Sequence, residues 1–221
     1  VTSPAEQSPN LRAAYSLQTP DDNRRLYAEW ADNYDETFVA ATGYVYHQQV
    51  AQIFSAAAAA VASPAGPVLD VGCGTGLVGV ALAAQLKDGV TAVDGVDISP
   101  EMLEQAATTG VYRRLFEADL TVGIDIGDST YAGLVSAGTF THGHLSADPL
   151  SELIRVGRPG AVAVIGVNAA HWEDHGFADW FEDAAARSVV SEISIRKVPV
   201  YARSDPDDPD QNSNVVTFVI G

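Results

Sequence analysis

Along the chain, short apolar runs bounded by glycine, proline or acidic residues alternate with longer stretches in which apolar positions recur at helical spacing. The short runs Val68–Val71, Val90–Asp97, Arg114–Ala118, Tyr131–Ala137 and Ala161–Val167 predict five strands. Between them, Leu77 to Leu86, the stretch after Ser99 and Asp148 to Val156 predict helices. Strand and helix in strict alternation predict an α/β fold with a parallel sheet. Two helices precede this core. Asp21-Asp22 can cap one that runs through Leu26, Tyr27, Trp30, Ala31 and Tyr34, and a second spans Tyr44 to Ala62 before Ser63-Pro64-Ala65-Gly66-Pro67 breaks it. At the other end, Val189–Val200 and Asn214–Ile220 read as a hairpin whose long tip is the acidic stretch Ser204 to Gln211.

The chemistry is concentrated where the first strand meets its helix. Val68-Leu-Asp-Val-Gly-Cys-Gly-Thr-Gly-Leu-Val-Gly79 places Gly72, Gly74 and Gly76 where the backbone needs angles that other residues resist. Amide donors at the start of the following helix point into a crevice at the carboxyl edge of the sheet, where open α/β sheets bind nucleotides. Gly74-Thr-Gly76-Leu-Val-Gly79 satisfies the dinucleotide pattern, with acidic Asp97 further on, so a nicotinamide-dependent oxidoreductase is one reading. Asp70 favours another. If its carboxylate faces the ligand, a pyrophosphate about 5 Å away is disfavoured by roughly 3 kcal/mol, whereas a cationic sulfonium is attracted.

Asp-x-Gly-x-Gly-x-Gly in this setting resembles motif I of the class I S-adenosylmethionine-dependent methyltransferases. Asp97 closes the second strand, where an acid accepts hydrogen bonds from ribose hydroxyls, and Asp119 closes the third. Three acids ending successive strands raise the ligand-site reading above that of a mere tight turn. The resemblance implies a Rossmann-like three-layer sandwich with a seven-stranded, mostly parallel sheet of order 3-2-1-4-5-7-6, strand 7 antiparallel. It also implies S-adenosyl-L-methionine as cofactor, held by Tyr34, Asp70, Gly72, Cys73, Gly74, Gly76, Asp97, Ile98, Met102, Asp119, Leu120, Ser136 and Ala137. On that comparison Met102 lies near the adenine, Asp119 accepts from its amino group, and the helices over about 21–62 form a lid.

The methyl acceptor is expected beside the fourth and fifth strands, lined by Trp30, Thr139, Asn168, His171 and Trp172. His142 and His144 are candidate general bases, although methyl transfer to an O or N nucleophile can rest on alignment alone. No carboxylate stands near enough in sequence to complete a metal set with them. The expected acceptor is a small molecule. Alternatives are the oxidoreductase and a non-catalytic protein that binds S-adenosylmethionine.

With 221 residues the chain suits one domain, here about 21–221 behind a flexible segment 1–20. The 29 acidic residues against 12 basic ones give a formal net charge of −17, which argues against nucleic acid as partner or substrate. Cys73 is the single cysteine, so no internal disulfide is available. No apolar run reaches membrane-spanning length and the first residues lack a secretory pattern, so the expectation is a cytoplasmic protein without a membrane partner. Oligomeric state is not legible in these features.

Overall fold

The computed structural model describes residues 19–61, 63–85, 90–141 and 145–221. The expected segment 1–20 therefore lies almost wholly outside the described residues, as do His142 and His144. Seven strands form one sheet: β1 (Gly66–Val71), β2 (Val90–Asp97), β3 (Tyr112–Glu117), β4 (Tyr131–Phe140), β5 (Gly157–Asn168), β6 (Val190–Pro199) and β7 (Asn212–Ile220). Their order is β3-β2-β1-β4-β5-β7-β6, with β7 antiparallel to both β5 and β6, as expected.

Helices cover both faces. On one side α2 (Tyr46–Ala60) and α3 (Leu77–Gln85) pack Val50, Phe54, Val78 and Leu82 onto Val68, Val135, Val162 and Val164. On the other, α5 (Leu150–Val156), α6 (Ala169–Asp174) and α7 (Phe177–Ala186) pack onto Leu69, Val71, Leu134, Ala163 and Ile165. Adjacent strand residues thus serve opposite layers, the period-two consequence of the pleat. A strand buried on both faces reads as one continuous apolar run, which is how β1, β4 and β5 appear in the sequence.

Two strands extend beyond expectation by three residues or more. β4 continues through Gly138-Thr139-Phe140, and β5 begins at Gly157 rather than after Gly160. Asp94-Gly95, which breaks the apolar run in sequence, does not break β2. Buried Asp94 is paired with Arg113 through two contacts of 3.0 and 2.6 Å and accepts from the Tyr131 hydroxyl at 3.0 Å. Gly95 is required because a Cβ there would meet Cys73 Sγ and Leu115 at 2.8 Å.

α1 (Pro20–Trp30) is capped by Thr19, whose hydroxyl oxygen accepts from the Asp22 amide. A short 3-10 turn, Ala31–Asn33, and a π-helical stretch, Asp35–Ala40, follow it. α4 (Pro100–Thr108) starts with Ser99 as N-cap and Pro100 at the first helical position. Among the described residues no helix is long and apolar enough to cross a membrane.

Candidate functional site

The carboxyl edge of β1 turns sharply at Gly72 and Gly74, whose φ angles of 65° and 52° lie in the left-handed region. Gly72 answers a second demand. Thr139 stands where its Cβ would be, and the hydroxyls of Thr139 and Ser136 donate to the Val71 carbonyl at 2.8 and 2.9 Å, locking β4 to the end of β1. At Gly74 a Cβ would meet nothing within 4 Å, so that backbone faces open space.

That space is a cleft of about 230 Å³. Asp97 sits at its edge and organises the turn. Its two carboxylate oxygens accept from the Gly74 amide at 2.8 Å and the Ser99 amide at 3.0 Å. Burial raises the carboxyl's pKa, and the Ser99, Gly74 and Ile98 backbone hydrogen bonds oppose that rise. Beyond it, Val96, Ile98, Met102, Ala118 and Leu120 supply an apolar wall, and Asp119 closes the β3 side, its carboxylate accepting from Thr121.

The segment expected to form the lid borders the cleft at Asn23, Tyr27, Tyr34, Tyr44 and His47 and is held there by polar ties. Thr75 donates its hydroxyl to Asp35 at 2.9 Å, Arg24 Nε donates to the Ile98 carbonyl at 3.3 Å, and Gln105 donates to Asp32 at 3.2 Å. Tyr44 pairs with Tyr201 in an antiparallel bridge, so the lid also meets the β6–β7 connection.

Of the residues expected to hold the cofactor, Tyr34, Gly72, Cys73, Gly74, Asp97, Ile98, Met102, Asp119, Leu120 and Ala137 line this cleft, as does Thr139 from the acceptor set. Asp70, Gly76 and Ser136 do not. The expectation that the Asp70 carboxylate faces the ligand is corrected. Asp70 follows Val68 onto the α2/α3 face of β1, is fully buried, and accepts from the Tyr112 hydroxyl at 2.6 Å. Its carboxyl is pushed up to about 7 by burial, with the Tyr112 hydrogen bond opposing that shift. Gly76 faces Tyr112 and Thr109, and Ser136 lies wholly beneath the surface.

Within the acceptor set, Trp30 and Asn168 line a smaller second cavity. His171 and Trp172 line neither. The His171 ring bonds through Nε2 to the Leu145 carbonyl at 2.7 Å, and Trp172 stacks on Phe177 and Phe181, so both are packed side chains. Sequence reasoning missed Asn23, Tyr44, His47, Thr75 and Thr121 on the cleft wall. His47, in the first turn of α2, is 8 % exposed, its Nδ1 lacks a partner among the described residues, and burial lowers its pKa while Asp35 opposes that shift. Only its spacing from Tyr44, on which it stacks with centroids 5.4 Å apart, could have signalled it.

A profile of the methyltransferase-domain family matches residues 68–160, the span from β1 into β5. Methyltransferase-like protein 27 of Homo sapiens is 31 % identical over 162 residues, which make up 70 % of this chain and 61 % of that protein. The chain carries a methyltransferase domain with the class I, S-adenosylmethionine-dependent fold. It spans less than two thirds of the human relative's length. A TehB-like methyltransferase from Corynebacterium glutamicum superposes with a TM-score of 0.57 at 24 % identity, covering 88 % of this chain and 98 % of that one. A methyltransferase from Aquifex aeolicus gives 0.58 at 19 %, covering 87 % and 98 %. At these identities the likeness is one of fold.

S-adenosylmethionine is the cofactor of the family, and the cleft of this methyltransferase fits it. Asp97 and Asp119 line the wall and, among the described residues, no lysine or arginine does, which suits a cationic ligand better than a pyrophosphate. The acids that line the cleft are thus Asp97 and Asp119 rather than Asp70. Asp97 retains lone pairs for ribose hydroxyls, the Ile98–Met102–Leu120 wall can flank an adenine, and the Gly72–Gly74 turn lets the backbone approach.

Proposed function

We propose that this chain transfers the methyl group of S-adenosylmethionine to an oxygen or nitrogen nucleophile of a small-molecule acceptor. The observation that carries the proposal is the cleft wall, with Asp97 and Asp119 and, among the described residues, no lysine or arginine beside an open glycine turn. When bound, the cofactor supplies an electrophilic methyl on a sulfonium. The chain's own part is binding, alignment and exclusion of water. Asp97 fixes the turn, the lid covers the cleft through the Thr75–Asp35 and Arg24–Ile98 ties, and Ala137, Gly138 and Thr139 put only small side chains on the β4 side of the cleft. His142 and His144, which follow β4, are the proposed candidates for a base.

The formal charge of −17 supports an acceptor other than nucleic acid. Incubation with methyl-labelled cofactor and a metabolite extract should give labelled small products, and label confined to protein or RNA would contradict the acceptor class. Calorimetric titration should show S-adenosylhomocysteine binding. Binding of NADH alone would overturn the reading.

A further inference from the structure

Besides its sulfonium and α-ammonium, S-adenosylmethionine carries a carboxylate. A chain of formal net charge −17, with Asp97 and Asp119 on the cleft wall, repels that group unless a donor meets it. Among the described residues His47 is the one side chain on the wall able to carry positive charge. It lies in the first turn of α2, which packs on β4, β5 and α3. Its ring stacks on Tyr44 with the planes 17° apart, and the Tyr44 hydroxyl stands 3.5 Å from the place a Cβ on Gly138 would take, at the end of β4. In the sheet, β4 flanks β1 on one side and β2 on the other. The imidazole thus stands on the β4 side of the cleft, across β1 from the Asp97–Ile98–Met102–Leu120 wall suited to the adenosine.

The fold makes little use of the ring's polarity. His47 is more than nine-tenths buried, yet its Nδ1 has no partner among the described residues, and a buried polar atom left unpaired is costly. Other donors on the wall are committed. The hydroxyl protons of Thr19, Thr75, Thr121 and Thr139 go to Asp22, Asp35, Asp119 and the Val71 carbonyl. Asn23 lies on α1 beside Arg24, which reaches the Ile98 carbonyl, and so belongs to the β2 side. We propose that the His47 ring is the partner of the cofactor's carboxylate, donating to it and holding the amino-acid end of the ligand on the β4 side of the cleft. The inference rests on S-adenosylmethionine as the cofactor. Burial lowers the ring's pKa and Asp35 opposes that shift; a ligand carboxylate adds to the effect of Asp35 and favours the donating imidazolium.

The test compares two ligands that differ only in the carboxylate, S-adenosylhomocysteine and its decarboxylated form, S-adenosyl-3-thiopropylamine, titrated calorimetrically into the whole chain. The unmutated chain should prefer S-adenosylhomocysteine by about tenfold or more. His47→Phe keeps a flat ring against Tyr44 and removes the donor. It should weaken S-adenosylhomocysteine about tenfold and leave the decarboxylated ligand within about twofold, so that most of the preference disappears. His47→Ala should lower the same ratio, which judges the proposal even where the larger phenylalanine is not accommodated. A merely structural role for His47 weakens both ligands alike and leaves the ratio unchanged. Equal binding of the two ligands by the unmutated chain overturns the proposal, as does either variant, folded by circular dichroism, that keeps the unmutated ratio. A chain that binds neither ligand overturns the cofactor reading and the proposal with it, whereas binding of both without preference overturns the proposal alone.

Discussion

Tyr112 on β3 donates its hydroxyl to Asp70 on β1 at 2.6 Å, beneath the glycine turn, and the other Asp70 oxygen has no partner among the described residues. The same phenol ring stands against Gly76, Gly79 and Gly95: a Cβ at Gly79 would overlap its hydroxyl, and at Gly76 and Gly95 would lie 3.0 and 3.1 Å from the ring. Tyr112 is therefore a positioning residue that seats the turn on the sheet, and Asp70 anchors it from below.

Asp70 carries a pH signature. Burial moves its carboxyl from the ordinary 3.8 to about 7, so the folded protein holds a proton that the unfolded chain releases between those values. The stabilising contribution of the neutral acid is complete below about 3.8 and is lost as pH rises through about 7. At roughly 1.4 kcal/mol per pH unit the loss is at most about 4 kcal/mol. Asp70→Asn stays neutral throughout. Its melting temperature relative to the unmutated chain should therefore climb between about pH 4 and pH 8, followed by differential scanning calorimetry. A difference independent of pH would show that Asp70 does not titrate in this range.

The glycines should separate by cause. Gly72→Ala forces a methyl onto Thr139 and keeps a positive φ, and Gly79→Ala drives one onto the Tyr112 hydroxyl. Gly74→Ala meets open space and bears only the backbone cost of about 1–2 kcal/mol. Chemical denaturation should rank Gly72→Ala as far less stable than Gly74→Ala. Equal losses would mean that backbone angle alone dictates both positions.

Asp97→Ala removes an acceptor shared by the Gly74 and Ser99 amides and exposed to the cleft. Loss of a hydrogen bond to a charged group costs about 1.5–3 kcal/mol, so affinity for S-adenosylhomocysteine should fall roughly ten- to hundredfold. Asp97→Asn should also bind weakly, because an amide cannot accept at both positions. Calorimetry on variants shown to be folded by circular dichroism decides it, and an unchanged affinity would remove Asp97 from the cofactor site.

Much of this was legible because alternation of strand and helix, the glycine turn and the terminal hairpin are local patterns, and local patterns fix both the order of elements and the edge where ligands gather. Asp70 was misread for a physical reason. Val68 to Val71 are all buried, so hydrophobicity carries no sign of which layer each side chain enters, and an acid at a strand end looks the same whether it faces the cleft or a phenol behind it. His171 and Trp172 were misassigned similarly, since aromatic residues after a strand can line a pocket or pack in the core. The second cavity joins residues 27–44, 138–141 and 201–213, and no spacing rule links segments so far apart.

The lid offers the last prediction. Thr75, in the glycine turn, is 7 % exposed, while its partner Asp35 is exposed on the N-terminal segment, so their 2.9 Å hydrogen bond ties that segment to the edge of the sheet. The remaining ties, Arg24 to the Ile98 carbonyl and Gln105 to Asp32, are longer and one-sided. If Thr75–Asp35 is the principal latch, Thr75→Val, which preserves shape and removes the hydroxyl, should speed release of S-adenosylhomocysteine by about tenfold or more. Asp35→Ala should act to a similar extent, and the double variant should add little, because both singles remove the same bond. Association should change less than dissociation, since most interface effects lie in the off-rate. Stopped-flow fluorescence measures both rates. Strictly additive effects of the two substitutions would show that Thr75 and Asp35 hold the cofactor separately rather than through each other.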